Sequence, residues 1–162
     1  MCGFAWETVG RDEIGPRVDR GTREIATIIV ADPARSAVRP SAQRWSATQY
    51  AAHVRDVLNT LRDRMVIGIV EDEPVFKPMY RDERVDLGLY DPDPPDAVAS
   101  ELRSATAMFI RLFDAIDPQY LSRPVQYGVP SPTRRSLLWM GQQAVHEVEH
   151  HRADIVVNLA QP

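Results

Sequence analysis

Apolar residues recur at three- and four-residue spacing in four stretches of this chain, and no stretch shows the strict alternation of a half-buried strand. The first runs from about Pro16 to Val30, with Ile25, Ile28 and Ile29 on one side. Pro16 suits a first-turn position. The second opens at Ser46, where Gln49 three residues later completes a capping-box pattern, and continues to about Val70. Tyr50, His53, Val54, Val57, Leu58, Leu61 and Met65 share its apolar face. The third begins at Pro95–Asp96 and ends near Ile116, where Asp117–Pro118 disfavours further helix. The last opens at Thr133 or Ser136 and reaches about Leu159. The expectation is a single all-α domain over 1–162, a four-helix bundle preceded by an irregular segment 1–13.

The connections are uneven. Asp32–Pro40 and 119–132 read as loops, while Glu71–Pro95 contains Pro74, Pro78, Pro92, Pro94 and Pro95. A connection that long fits a crossover along the bundle, so that helices two and three run the same way, or a flap over a site.

Composition narrows the function. A net charge of −4 over 162 residues runs against a nucleic-acid binder or a polybasic membrane module. Cys2 is the one cysteine, so no intrachain disulfide forms and a reducing cytoplasm is expected. No signal peptide is read at the start and no apolar run approaches membrane-spanning length.

All four histidines, His53, His146, His150 and His151, fall on helical stretches. His146 and His150 are four residues apart, so their imidazoles can meet at one point and bind zinc, nickel, iron or copper. At about 100° per residue they are read as lying beside the apolar face of the last helix, on a line with Trp139. His151 sits roughly 140° around from His146 by the same geometry. It reads as a proton donor, a group supporting the ligands or a plain surface residue, with Tyr50 the other candidate donor. His53 alone is a core histidine on an apolar face; facing a helix-borne HxxxH it becomes the third ligand. Asp154 and Asp56 are candidates for orienting ligand histidines, and Arg55 for a surface ion pair. Residues 71–95 and 119–132 are expected to shape the pocket.

Two other readings fit less well. His146–His150 matches HExxH with Glu147 as general base, but a protease would need a further ligand downstream and a sheet edge. A ferritin-like di-iron site needs a second Glu-x-x-His, and Tyr50 stands where its glutamate belongs. Cys2 is read as a spectator.

The stretches Trp45–Leu58 and His146–Ile155 resemble the DinB-like superfamily, which includes metal-binding four-helix bundles and the mycothiol-dependent maleylpyruvate isomerases. The resemblance spans about residues 12–156 and includes the linker Glu71–Phe76. It implies a bundle with a long second connection, a divalent metal (zinc or nickel) on His53, His146 and His150, and often a homodimer. It further implies that the metal activates a small thiol such as mycothiol, in isomerase or S-transferase chemistry on a small-molecule substrate; an open position on a three-histidine metal would equally activate water, as in a hydrolase. The start, Met1-Cys2-Gly3-Phe4, keeps only the end of a Cys-x-x-Cys-Gly-Phe stretch frequent in this subtype. A non-catalytic metal-binding or protein-interaction module is the alternative.

Overall fold

The structure is a computed structural model that describes residues 3–128 and 130–160. Cys2 lies outside them. Four long helices, α1 (Arg11–Ala31), α3 (Ala47–Val70), α5 (Pro95–Ala115) and α6 (Leu137–Leu159), form a bundle. Two short helices, α2 (Pro33–Ser36) and α4 (Arg81–Asp86), sit in the connections. No helix among the described residues is long and apolar enough to cross a membrane.

Local signals set most boundaries. Ser46 Oγ accepts from Gln49 N at 3.1 Å while Gln49 Oε1 accepts from Ser46 N at 2.9 Å, which is the expected capping box of α3. Ser136 rather than Thr133 caps α6, its Oγ accepting from Trp139 N at 3.1 Å. α1 starts at Arg11, earlier than Pro16 suggests, because the Glu13 carboxylate reaches back to the Gly10 N–H at 2.8 Å and holds the first turn. The irregular segment is correspondingly shorter than 1–13 and contains a 3-10 turn at Trp6–Thr8.

α1 and α3 each pack on both α5 and α6, so α1 and α3 stand diagonally. Their directions follow from which ends meet. Arg55 pairs with Glu101 and Arg62 reaches Met108, so α3 and α5 run parallel, as a crossover after helix two requires. Gly68 lies under Leu137, so α3 and α6 run antiparallel. Ile14 meets Gly141 and Val148 meets Gly21, so α1 and α6 run parallel. The order is up, down, down, up.

The segment 119–132 is not simply a loop. Pro124–Tyr127 (β1) pairs antiparallel with Thr133–Ser136 (β2), from Pro124 opposite Ser136 to Tyr127 opposite Thr133. The crossover adds a partial third lane, with Phe76 N donating to Gln126 O at 3.0 Å and Gln126 N to Pro74 O at 2.9 Å. Four-residue strands are too short to register as alternation, which is why only a loop was expected over 119–132.

The crossover is pinned to α3. Asp56 accepts from Arg84 at 2.6 Å, from the Tyr90 hydroxyl at 3.0 Å and from Arg55 at 2.9 Å. Gln49 donates to Asp91 at 2.6 Å. Asp56 therefore braces the crossover instead of orienting a histidine, and Arg55 belongs to this largely covered network rather than to a surface pair.

Close helix approach depends on a missing side chain at Gly141. A Cβ there would stand 2.6 Å from Phe113 and 3.0 Å from Ile14. Gly141→Ala is expected to cost about 1–3 kcal/mol through overpacking, read as a lower denaturation midpoint with an unchanged slope.

Candidate metal centre

His53 lies two turns inside α3 and is buried, at 1% exposure. Glu147 and His151 lie one turn apart on α6. Because α3 and α6 are antiparallel neighbours, the first half of one meets the second half of the other. Glu147 Oε2 is 3.7 Å from His53 Nε2 and 3.3 Å from His151 Nε2. The two imidazoles meet edge to face with centroids 4.8 Å apart. One potential ligand atom from each of the three residues falls within 4.8 Å of the others.

The surrounding groups orient these three. His151 Nδ1 is 2.9 Å from Asp154 Oδ2. With the proton on Nδ1, donated to the carboxylate, Nε2 presents a lone pair to the centre. Gln143 Nε2 donates to Glu147 Oε1 at 2.6 Å, and Gln143 Oε1 accepts from the Trp6 indole at 2.8 Å. Trp45 meets His53 edge-on at 5.4 Å, and Tyr50 stacks on His151 at 5.4 Å.

Buried polar atoms normally find a hydrogen-bond partner. His53 Nδ1, His53 Nε2 and His151 Nε2 are buried and have none. Two Nε2 lone pairs converging on a carboxylate are the donor set of a divalent transition-metal site. His53, Glu147 and His151 thus fit a metal by their own chemistry.

Charge in the cluster centres on Glu147. Burial raises the Glu147 carboxyl, but contacts with His146, His151 and His53 outweigh it and hold the group well below the usual carboxylate range. Burial lowers His53, favouring the neutral, ligating form. Burial also lowers His151, but Asp154 and Glu147 raise it more. The bond to His151 holds Asp154 low against the opposing effect of burial.

The expected trio of His53, His146 and His150 is not what the structure gathers. His146 and His150 stack on each other at 5.5 Å and His150 meets His151 edge-on at 5.0 Å, but among the described residues neither joins the group around His53. His146 is covered by Phe4 and Trp6, with centroids at 5.2 and 4.9 Å, and its Nδ1 is 3.7 Å from Glu147 Oε1. The His150 side chain is 41% exposed, 3.6 Å from Asp154. The inward i, i+4 pair is Glu147–His151, one residue along from the HxxxH, which turns the face by about 100°. His151 is neither a surface residue nor a bystander, at 4% exposure. A second group, His150, His151 and Asp154, shares His151 and lies at the rim.

Two cavities flank the centre. One of about 160 Å³ is lined by His53, Glu147, Thr60, Gln143, Met79, Arg81 and Tyr127, among others. Another of about 340 Å³ lies on the His151 side, with Tyr50, Trp45, Arg81 and Asp154. Met79 and Arg81 come from the crossover and Tyr127 from the hairpin. Burial, then Asp154, raises the Tyr50 phenol.

Residues 23–155 match the DinB superfamily. The chain belongs to that superfamily. Its fold is similar to YfiT from Bacillus subtilis, described as a probable metal-dependent hydrolase with an unusual four-helix bundle topology. That match has TM-score 0.83 at 14% identity, over 98% of this chain and 89% of the other. It is also similar to a mycothiol-dependent maleylpyruvate isomerase, with TM-score 0.74 at 17% identity over 94% of this chain. A mutant of that isomerase matches equally well, at 16% identity. This DinB chain spans 63% of the isomerase's length. At these identities the likeness is one of fold. No curated protein matches the chain significantly.

The Glu147 carboxyl of the metal-free DinB protein sits below its ordinary value of 4.5. Its contribution to stability is therefore complete above that pH and is lost as pH falls below it toward the folded value. Acid titration of denaturation midpoints is expected to show a shallower loss below pH 4.5 in Glu147→Gln than in the wild type.

Proposed function

We propose that this protein is a metal-dependent enzyme in which His53, Glu147 and His151 hold one divalent ion, with zinc and nickel the best match to the donors. The observation that carries this reading is the convergence of His53 Nε2 and His151 Nε2, both buried and without a hydrogen bond, on the Glu147 carboxylate. A metal on three protein ligands keeps a position for water or substrate, as catalytic sites do. Bound there, the ion would lower the pKa of a water or small thiol and polarise a neighbouring electrophile. Glu147 offsets part of the ion's charge, Asp154 fixes the tautomer of His151, and Gln143 holds the carboxylate. Trp45 and Tyr50 keep bulk water from the imidazoles. Arg81, on the wall of both cavities, favours an anionic reactant. A cavity of about 160 Å³ suits a small-molecule substrate. The nucleophile is a small thiol or water; the described fold neighbours, an isomerase that depends on mycothiol and a probable hydrolase, support that pair of choices.

Metal analysis tests the assignment. Wild-type protein is expected to carry about one equivalent of metal, and His53→Ala, Glu147→Ala and His151→Ala to lose it. His146→Ala and His150→Ala are expected to retain it. Metal loss in the last two with retention in the first three would overturn the ligand set. Asp154→Ala, which leaves the ligands in place, is expected to weaken metal binding roughly 10–100-fold, measured by competition with a chelator.

A further inference from the structure

Tyr127 ends β1, and its side chain shares a strand face with Val125, which is fully buried. Alternation therefore turns the phenol toward the bundle, and it forms part of the cavity wall with His53, Glu147, Thr60 and Gln143. The ring is held on three sides. Trp139 meets it at 5.1 Å and Phe76 at 6.4 Å, both edge-on, and the Arg64 guanidinium stands 5.3 Å from its centre.

The hydrogen-bond arrangement leaves one group to spare. Arg64 Nη1 donates to Tyr127 Oη at 3.2 Å. A guanidinium has no acceptor, so the phenolic hydrogen cannot point at Arg64. Arg64 is itself fixed by a second bond to the Lys77 carbonyl. Among the described residues, the Tyr127 hydroxyl donates no hydrogen bond, although the Glu147 carboxylate lies on the same cavity wall. The other amide on the wall is committed, since Gln143 bonds both Glu147 and Trp6. Burial raises the phenol above its ordinary value, so it keeps its proton at neutral pH.

We infer that Tyr127 donates its phenolic hydrogen to an oxygen of the substrate in the cavity beside His53 and Glu147, and that the substrate there presents a carbonyl, carboxylate or similar oxygen. This rests on the metal reading above. Arg64 is the positioning residue: by occupying the oxygen of the phenol it turns the hydrogen inward. Tyr50, expected from the sequence as a proton donor, lies instead on the other cavity, stacked over His151.

The test uses cobalt-substituted protein and two probe ligands followed by visible absorption. Acetohydroxamate offers oxygens to a donor, whereas thiocyanate offers none. Tyr127→Phe is expected to weaken acetohydroxamate binding about tenfold, or ~1.4 kcal/mol, while thiocyanate affinity and cobalt content stay at wild-type values. Arg64→Met keeps the phenol but frees its orientation, and is expected to weaken acetohydroxamate by a smaller factor. Equal acetohydroxamate affinity in wild type and both variants would overturn the role of Tyr127 while leaving the metal site standing. Equal weakening of both ligands would assign Tyr127 a merely structural part and overturn it too. Failure of the wild type to bind cobalt would remove the metal reading and this inference together.

Discussion

Glu147 carries a formal negative charge into the seam between α3 and α6, and much of the surrounding structure reduces that cost. A buried carboxylate is expensive unless it is paired and hydrogen-bonded. Here two imidazoles from different helices face one oxygen and an amide from one turn earlier holds the other. The arrangement works only because α3 and α6 run antiparallel, which brings His53, near the start of one helix, to His151, near the end of the other. That direction in turn depends on the long connection returning the chain along the bundle before α5.

The same connection supplies the walls. Loops carry site residues when a rigid scaffold positions them, and the crossover is held by polar anchors to α3 and to the hairpin. Asp56 gathers Arg55, Arg84 and Tyr90; Glu73 gathers Gln126 and Arg134. The backbone bends sharply where it must, with Tyr80 in the left-handed region at φ 53° just before α4. Arg81 follows directly, so the turn that starts this short helix also presents its first side chain to both cavities.

The helices, the parallel run of helices two and three, and the α3 capping box were all legible, because 3.6-residue periodicity and cap chemistry are local. The family was legible too. The residues that the structure brings beside His53 are Glu147 and His151, one residue along from the His146 and His150 that the HxxxH spacing picked out. On an ideal helix the stripe through Leu137, Gly141, Val148 and Ile155 puts His151 about 60° from its centre and His146 and His150 about 160° away. The sequence thus contained the signal for His151, but three histidines drew attention to the HxxxH spacing and away from the burial it implied. Glu147 was harder to find. It lies about 100° from the stripe, at the border where a charged residue is ordinarily solvated, and only the packing of α3 across it makes it interior. His146 is sheltered for a reason no periodicity carries, since Phe4 and Trp6 fold back over it. The segments 71–95 and 119–132 were legible as pocket walls, but Arg81 and Tyr127 could not be singled out within them, because four-residue strands and a six-residue helix leave almost no pattern.

The backbone bonds joining Phe76 and Gln126 have an implication for access. They stitch the crossover to the hairpin beside the stretch that leads to Met79 and Arg81 and the strand that ends in Tyr127. Two sides of the smaller chamber are therefore one continuous sheet-like piece, unable to part along that edge without breaking main-chain pairing. Arg81 borders both hollows on the other side of that edge, so the one guanidinium that the two walls share lies where they meet.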